Sequence, residues 1–159
     1  MRDALRGSEQ AQADLFRATW PGAYRAAYLI VHDHAAAEDI AQEALVAAIK
    51  NLDRFDRRRP LSPWLHRIVV NRAIDWVRLR ELRREVFTDV ETEATVDGSL
   101  DPVVSALAAL PPDQRAVVVL RHLLEYTPGE IARMLELPRG TVNSRLRRAL
   151  DGLETELER

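Results

Sequence analysis

The end of the chain carries residues whose types and spacing suit DNA binding. Between positions 139 and 148, six side chains can donate hydrogen bonds to phosphates or base edges: Arg139, Thr141, Asn143, Ser144, Arg147 and Arg148. Val142, Leu146 and Leu150 interleave with them at helical spacing, which predicts one helix with an apolar side and a hydrogen-bonding side. Such a helix fits the major groove. A helical hairpin with a solvated basic face is the alternative.

A shorter helix is predicted just before this one. Thr127 and Glu130 have the spacing of a capping box, and Pro128 stands at the first helical position between them. Ile131 and Leu135 then continue at helical spacing. Two helices joined by a tight turn predict a helix-turn-helix.

A second group of basic residues precedes the helix-turn-helix. Although the chain has a net charge of −2, residues 54–84 contain ten arginines against three acids, a local charge of +7. Five of the residues in this segment form a loop with an aromatic side chain between arginines: Arg54, Phe55, Arg57, Arg58 and Arg59. Arginines can hold phosphates while an aromatic ring stacks a base, at roughly 1–3 kcal/mol per base. The loop is therefore a candidate single-strand binding site.

Residues for enzymatic or metal chemistry are not apparent. The chain has no cysteine, its six glycines form no phosphate-binding loop, and its four histidines form no HExxH pattern: His32, His34, His66 and His122. We therefore predict that the protein is not an enzyme and that it uses no cofactor and no metal.

The remaining patterns are helical and place these groups. An apolar stripe that includes Phe16, Trp20 and Tyr24 predicts two short helices, with a restart at Pro21-Gly22. Asp33 is a candidate cap for the next helix. A helix capped by Ser62, with Pro63 at its first position, is predicted to follow the arginine-rich loop.

One face of the helix that follows Asp33 is polar. Asp39, Gln42 and Glu43 are three and four residues apart, so they share a face that could dock a partner. Acids early in a helix also have an ordinary explanation, because they interact favourably with the helix dipole.

Composition divides the chain into two units. Residues 85–104 contain six acids and no base, without sustained periodicity, which is typical of a flexible linker. We predict an all-α protein with a helical domain over 1–84, an acidic linker over 85–104 and a helix-turn-helix domain over 105–159. The two domains are expected to move independently or to be clamped together by a regulator. No signal peptide and no membrane-spanning run is apparent, so we expect a cytoplasmic protein without membrane insertion.

Five sequence blocks, in this order and at these spacings, resemble bacterial sigma factors of the extracytoplasmic-function group. The blocks are 36–43 (AAEDIAQE), 52–56 (LDRFD), 63–75 (PWLHRIVVNRAID), 110–115 (LPPDQR) and 130–148 (from EIA to the last arginine pair). The resemblance extends from about Leu15 to about Leu157. At Glu136 the family often has a turn glycine, and at Asn143 it often has a basic residue.

The resemblance implies a transcription initiation factor that binds core RNA polymerase and promoter DNA and helps to open the strands. Asp39, Gln42 and Glu43 match the face that docks on the polymerase. The arginine-rich loop, with Asn71 and Asp75, matches the element that captures a flipped minus-ten base, at a cost of a few kcal/mol of unstacking. Phosphate contacts to the adjoining duplex are implied for Arg78, Arg80, Arg83 and Arg84. The terminal helix would read the minus-thirty-five element, and an anti-sigma protein is an expected partner.

Two other functions remain possible from the sequence. A free-standing helix-turn-helix regulator would bind operator DNA without polymerase, usually as a dimer. That interpretation assigns no function to the arginine-rich loop or to the polar face that includes Asp39. An interaction protein that binds polymerase but does not initiate is the other alternative. The promoter sequence, the inducing signal and the identity of any anti-sigma protein are not specified by the sequence.

Overall fold

The computed structural model describes residues 8–56, 58–87 and 101–159 and is helical, without strands, over these ranges. This confirms the all-α prediction. Three helices form an N-terminal unit: α1 (Glu9–Val31), α2 (His34–Lys50) and α3 (Leu61–Val86), with a 3₁₀ turn at Leu52–Arg54. Four helices form a C-terminal unit: α4 (Pro102–Ala109), α5 (Pro112–Val118), α6 (Pro128–Leu135) and α7 (Arg139–Leu157), with a π-helical turn at Val119–Leu123.

Local capping fixes several of these helix starts. The Asp33 carboxylate accepts a hydrogen bond from the backbone N–H of Ala36 at 2.9 Å and begins α2. At α6, Thr127 and Glu130 bond each other's backbone N–H groups, at 3.3 and 2.7 Å, so the capping box is confirmed. Helix α3 begins at Leu61, with Pro60 at the cap, rather than after Ser62 as predicted.

Helix α1 is continuous through Pro21, so the predicted restart is wrong. An interior proline costs a helix about 3 kcal/mol, because it removes a hydrogen bond and crowds the preceding turn. Side-chain packing on both sides of the proline offsets this cost. Phe16, Trp20, Tyr24 and Tyr28 stack in sequence along one side, with ring centroids 5.3 to 6.3 Å apart.

The N-terminal unit is a three-helix bundle with small side chains at its centre. Ala26 and Ala27 of α1 and Ala41 and Ala44 of α2 are fully buried, which lets the two helices approach closely. Helix α3 covers them with branched apolar residues such as Val69. Alanine also has the highest intrinsic helix propensity, so the residues that allow close packing also favour the helices themselves.

The C-terminal unit buries the apolar stripe of the helix-turn-helix. Ile131, Val142 and Leu146 lie in its core, as the periodicity predicts. Leu150 is an exception, because its side chain is 47% exposed while Ala149 is fully buried. Helical geometry explains the difference: at 100° per residue, position 149 falls closer to the buried stripe than position 150.

The two units pack against each other around a shared core. Apolar residues of α1–α3 and of α5–α7 belong to one buried cluster, and Arg115 of α5 is 6% exposed at their junction. Its guanidinium donates to the carbonyls of Leu107, Ala108 and Leu110 at 2.8 to 2.9 Å and to the carbonyl of Ile30, at the end of α1. A single side chain therefore ties α1 to α4 and α5.

Much of the predicted linker, residues 88–100, lies outside the described residues. Helix α3 continues to Val86 and α4 begins at Pro102, so both ends of the predicted linker are helical. None of the helices in the three described ranges has the length and apolar character to cross a bilayer.

Candidate nucleic-acid interface

The exposed face of α7 carries the hydrogen-bonding residues of the helix-turn-helix. Arg139, Asn143, Arg147 and Arg148 are exposed, whereas Thr141 and Ser144 are half-buried beside them. Val142 and Leu146 hold the opposite face in the core. The six side chains thus lie along one helix, four of them fully open to a ligand of groove dimensions.

An internal hydrogen-bond network shapes the arginine-rich loop. The Asp56 carboxylate accepts from the backbone N–H of Arg58 at 3.0 Å and from its Nε at 3.1 Å, and Arg59 lies 3.9 Å away. These hydrogen bonds, and then the charge of Arg59, hold the pKa of Asp56 below its usual value. The side chains of Arg58 and Arg59 remain 90% and 82% exposed, and Arg54 is exposed too. Arg57 lies outside the described residues.

Phe55 does not lie among the exposed loop side chains. It is 9% exposed, and its ring centroid is 4.9 Å from that of Trp64. The 3₁₀ turn before it directs Leu52 and Phe55 inward, and both are buried. In this structure the ring anchors the loop to α3 and is not presented to solvent for stacking on a base.

Helix α3 presents a polar strip next to the loop. Asn71, Asp75 and Arg78 are exposed and separated by four and three residues, so they share one side of the helix. Two residues after Arg78, the guanidinium of Arg80 lies 5.2 Å from the ring centroid of Trp76. The remaining arginines of the predicted duplex contact, Arg83 and Arg84, are exposed.

The predicted docking face of α2 is also open. Asp39, Gln42 and Glu43 are all exposed, and Ile40 and Ala44 on the other side of the helix are buried. The Glu43 carboxylate accepts from Arg72 of α3 at 3.1 Å. Exposed ion pairs contribute about 0–1 kcal/mol, so a partner can replace this one at little cost.

Polar contacts across the unit boundary were not apparent from the sequence. Arg78 pairs with Asp113 and Arg67 with Glu136, the latter at 2.7 Å. The Nδ1 of His66 and the hydroxyl of Tyr126 share a hydrogen bond of 2.7 Å. Burial, and then Glu130, raise the pKa of Tyr126 to about 12, so this hydroxyl keeps its proton.

The turn of the helix-turn-helix has a strained residue at Glu136. It caps α6 with φ 54° and ψ 46°, a left-handed conformation that suits glycine far better than other residues. Glu125 has a similar φ of 60°, but no ion pair across the boundary is found for it among the described residues. Glu136 therefore combines backbone strain with a contact to the other unit.

Replacing each of these glutamates by glycine tests whether that contact offsets the strain. Glu125→Gly is expected to raise the free energy of unfolding by about 1 kcal/mol, or about 2–4 °C in melting temperature. Glu136→Gly is expected to raise it less, because the same change also removes the pair with Arg67. Calorimetry on both variants measures the difference. An equal gain in the two variants would show that the pair contributes nothing.

Known proteins share both the sequence and the architecture of this chain. Family models described as sigma-70 region 2 and sigma-70 region 4 match residues 5–84 and 100–151. The sigma factor SigW of Bacillus subtilis, of the extracytoplasmic-function (ECF) group, is 33% identical over 99% of this chain and 94% of its own length. This chain belongs to the ECF sigma factors. It is accordingly a transcription initiation factor that binds RNA polymerase and recognises promoters.

Other relatives agree with this assignment. The sigma-E factor of Streptomyces avermitilis is 37% identical over 84% of this sigma factor and 78% of its own length. The solved structure of CnrH, in complex with the cytosolic domain of CnrY, matches with a TM-score of 0.74, 29% identity and coverage of 99% of this chain and 94% of that one. RpoE from Bartonella quintana, solved with the anti-sigma factor NepR, shares the fold, with a TM-score of 0.73, 23% identity and coverage of 92% and 96%.

Proposed function

We propose that three exposed surfaces of this sigma factor have separate binding functions. The α2 face of Asp39, Gln42 and Glu43 binds core RNA polymerase. The arginine-rich loop and the polar strip of α3 bind the minus-ten element, and the outer face of α7 reads the minus-thirty-five element. The observation that carries the proposal is that charged or hydrogen-bonding residues of all three groups are exposed at the same time, while the opposite faces of α2, α3 and α7 are buried.

Strand opening is assigned to the loop and to α3. A base leaves the stack only if new contacts replace a few kcal/mol of stacking and pairing. Exposed Arg58 and Arg59 supply charge for the phosphates, while Asn71 and Asp75 supply hydrogen-bonding groups for a base edge. Phe55 contributes by fixing the loop, because its ring is packed against Trp64.

The α7 surface is assigned to positioning rather than opening. From Ser105 to the end, eight arginines are balanced by eight acids, so this unit has no net charge to attract DNA. In the absence of polymerase, the affinity of this unit for DNA should be modest. Recruitment to the promoter by polymerase therefore matters more than independent DNA binding. A free-standing regulator lacks that support, which makes this alternative the weaker one.

The packed arrangement of the two units suits a DNA-free form of the protein. The minus-ten and minus-thirty-five elements are about 25 base pairs apart, or about 85 Å along the duplex. A compact chain of 159 residues has a radius of gyration of only about 15 Å. The packed units therefore cannot reach both elements, and Arg78 is engaged by Asp113 instead of DNA. The units must separate when the sigma factor acts.

Partners and location follow from the family. CnrH and RpoE were solved with a protein partner, which supports an anti-sigma protein as a partner for this chain as well. Polymerase and promoter are cytoplasmic, so we place the protein in the cytoplasm. Its role is that of a polymerase subunit rather than an enzyme, and no cofactor or metal is part of the proposal.

Reversing the charge of the α2 face tests polymerase binding. The double variant Asp39→Lys, Glu43→Lys is expected to lose affinity for core polymerase by at least about 100-fold, because like charges at a docking site cost several kcal/mol. Affinity is measured by titrating labelled sigma factor with core enzyme. Promoter-dependent transcription, with starts mapped on genomic templates, should fall in parallel.

Glu38→Lys is the matched control, because Glu38 is exposed on the same helix next to the proposed face. It should bind polymerase nearly as well as the unchanged protein. Undiminished binding by the double variant would contradict the assignment of this face. A purified protein that binds polymerase but yields no promoter-dependent transcript would instead support a non-initiating interaction protein.

A further inference from the structure

A polar cavity of about 140 Å³ lies where the two units meet. It is bounded by the C-terminal end of α1, the last turns of α3 and helices α4 and α5. The residues that line it include three arginines, a glutamate, a histidine and a tryptophan: Arg80, Arg84, Arg115, Glu81, His32 and Trp76. None of the polymerase or minus-thirty-five contacts proposed above uses this cavity.

His32 lines the cavity, and its two ring nitrogens are buried behind the wall. Its residue is 5% exposed, and neither ring nitrogen has a hydrogen-bonding partner among the described residues. Burial, and then the charge of Arg115, lower the pKa of His32 to about 4, so the ring is neutral at pH 7. A neutral imidazole has one N–H donor. A buried donor without a partner costs about 1–3 kcal/mol, so turning the ring toward a ligand in the cavity would recover free energy.

The cavity is also positively charged. Arg115 is bonded only to backbone carbonyls, and burial, partly offset by Glu81, lowers its pKa to about 10. It nevertheless stays protonated at neutral pH. Arg80 and Arg84 form no ion pair with any described residue. Three guanidinium groups thus face one carboxylate, that of Glu81, and leave an excess of positive charge around a buried donor.

We propose that this cavity binds a small oxyanion, a phosphate monoester or a carboxylate. Its volume is well above the roughly 10–15 Å³ that a single water molecule needs, which leaves room for one phosphate or carboxylate group and its first substituent. Arg80 and Arg84 supply charge-assisted donors at the rim, and the ring of His32 can turn its N–H toward the bound anion. The charge of Arg115 lies behind them.

Anion binding in the cavity is also expected to affect promoter binding by the sigma factor, and this expectation rests on the function proposed above. The anion contacts α1 and α3 of one unit and neighbours α4 and α5 of the other, so it stabilises the packed arrangement. It also engages Arg80 and Arg84, two of the arginines for which the family resemblance implies phosphate contacts. A metabolite bound here would therefore oppose promoter binding.

The binding step can be measured without polymerase or DNA. The full chain is titrated with inorganic phosphate and, separately, with citrate, and its melting temperature is compared with that in sodium chloride of equal ionic strength. At ten times the dissociation constant, a bound anion is expected to raise the melting temperature by about 3–6 °C. A gain with phosphate alone or with citrate alone identifies which of the two chemistries is bound.

Two adjacent exposed arginines give a matched pair of variants. Arg84→Gln is expected to weaken anion binding about tenfold, whereas Arg83→Gln, which removes the same charge outside the cavity lining, should change it less than about twofold. His32→Gly removes the ring without straining its left-handed backbone, whose φ is 53°, and should also weaken binding. Equal losses for Arg83→Gln and Arg84→Gln, or no saturable gain with either anion, would overturn the proposal.

Discussion

Cross-linking position 67 to position 136 is expected to abolish promoter-dependent transcription. The chain contains no cysteine, so the double variant Arg67→Cys, Glu136→Cys offers two unique thiols to a short bismaleimide. In the unmodified protein the Arg67 and Glu136 side chains meet at 2.7 Å across the unit boundary. A covalent bridge there keeps the units packed, and packed units cannot span promoter elements about 85 Å apart. Transcripts should fall to the level found without sigma factor.

The same double variant without cross-linker is the control. It should keep most of its activity, because the exposed pair that it loses contributes at most about 1 kcal/mol. Core polymerase binding by the bridged protein, measured in parallel, separates failure to dock from failure to reach the promoter. Full activity of the bridged protein on a two-element promoter would show that the units act without separating.

Replacing Arg115 by methionine is expected to destabilise the protein strongly. Methionine has a similar length but no donors, so four buried carbonyls lose their partner. We expect a loss of about 3–4 kcal/mol in the free energy of unfolding, because each buried group left unsatisfied costs about 1–3 kcal/mol and the site can partly relax. The melting temperature should fall by about 6–16 °C.

Two further variants test whether the loss of these hydrogen bonds causes the loss of stability. Arg148→Met removes an exposed arginine of α7 and should change stability by no more than about 0.5 kcal/mol. Arg115→Lys should rescue little, since one ammonium cannot reproduce the planar fork that reaches carbonyls at the ends of both α1 and α4. Near-normal stability of Arg115→Met would mean that water replaces the guanidinium and that the residue does not tie α1 to α4 and α5.

Most of the secondary structure was predictable because its signals are local. The capping residues Asp33 and Thr127 act on backbone groups three positions away, and apolar spacing within one helix selects the buried face. Predictions failed where side-chain packing decided the outcome. Pro21 stays inside a helix because aromatic stacking continues past it, and Phe55 is drawn into the core beside Trp64.

The surfaces proposed for polymerase and DNA were largely predictable too. Asp39, Asn71 and Asn143 are exposed where helical periodicity places them. The exposure of a residue follows from its spacing along a single helix. It can therefore be predicted without the positions of the other helices, once the side of the helix that faces the core is known. The roles of these residues remain proposals.

By itself, the sequence determined an all-α chain, a helix-turn-helix and a family, because each of these depends on the order and spacing of residues along the chain. Tertiary structure alone decided how the two units meet. His66 contacts Tyr126, Arg67 contacts Glu136, and Arg115 contacts the carbonyl of Ile30 across 60, 69 and 85 positions. Such pairings depend on which polar groups are brought together when the shared core forms. The contact of Arg115 with α1 and the cavity with His32 arise from the same event, since residues of both units form each of them.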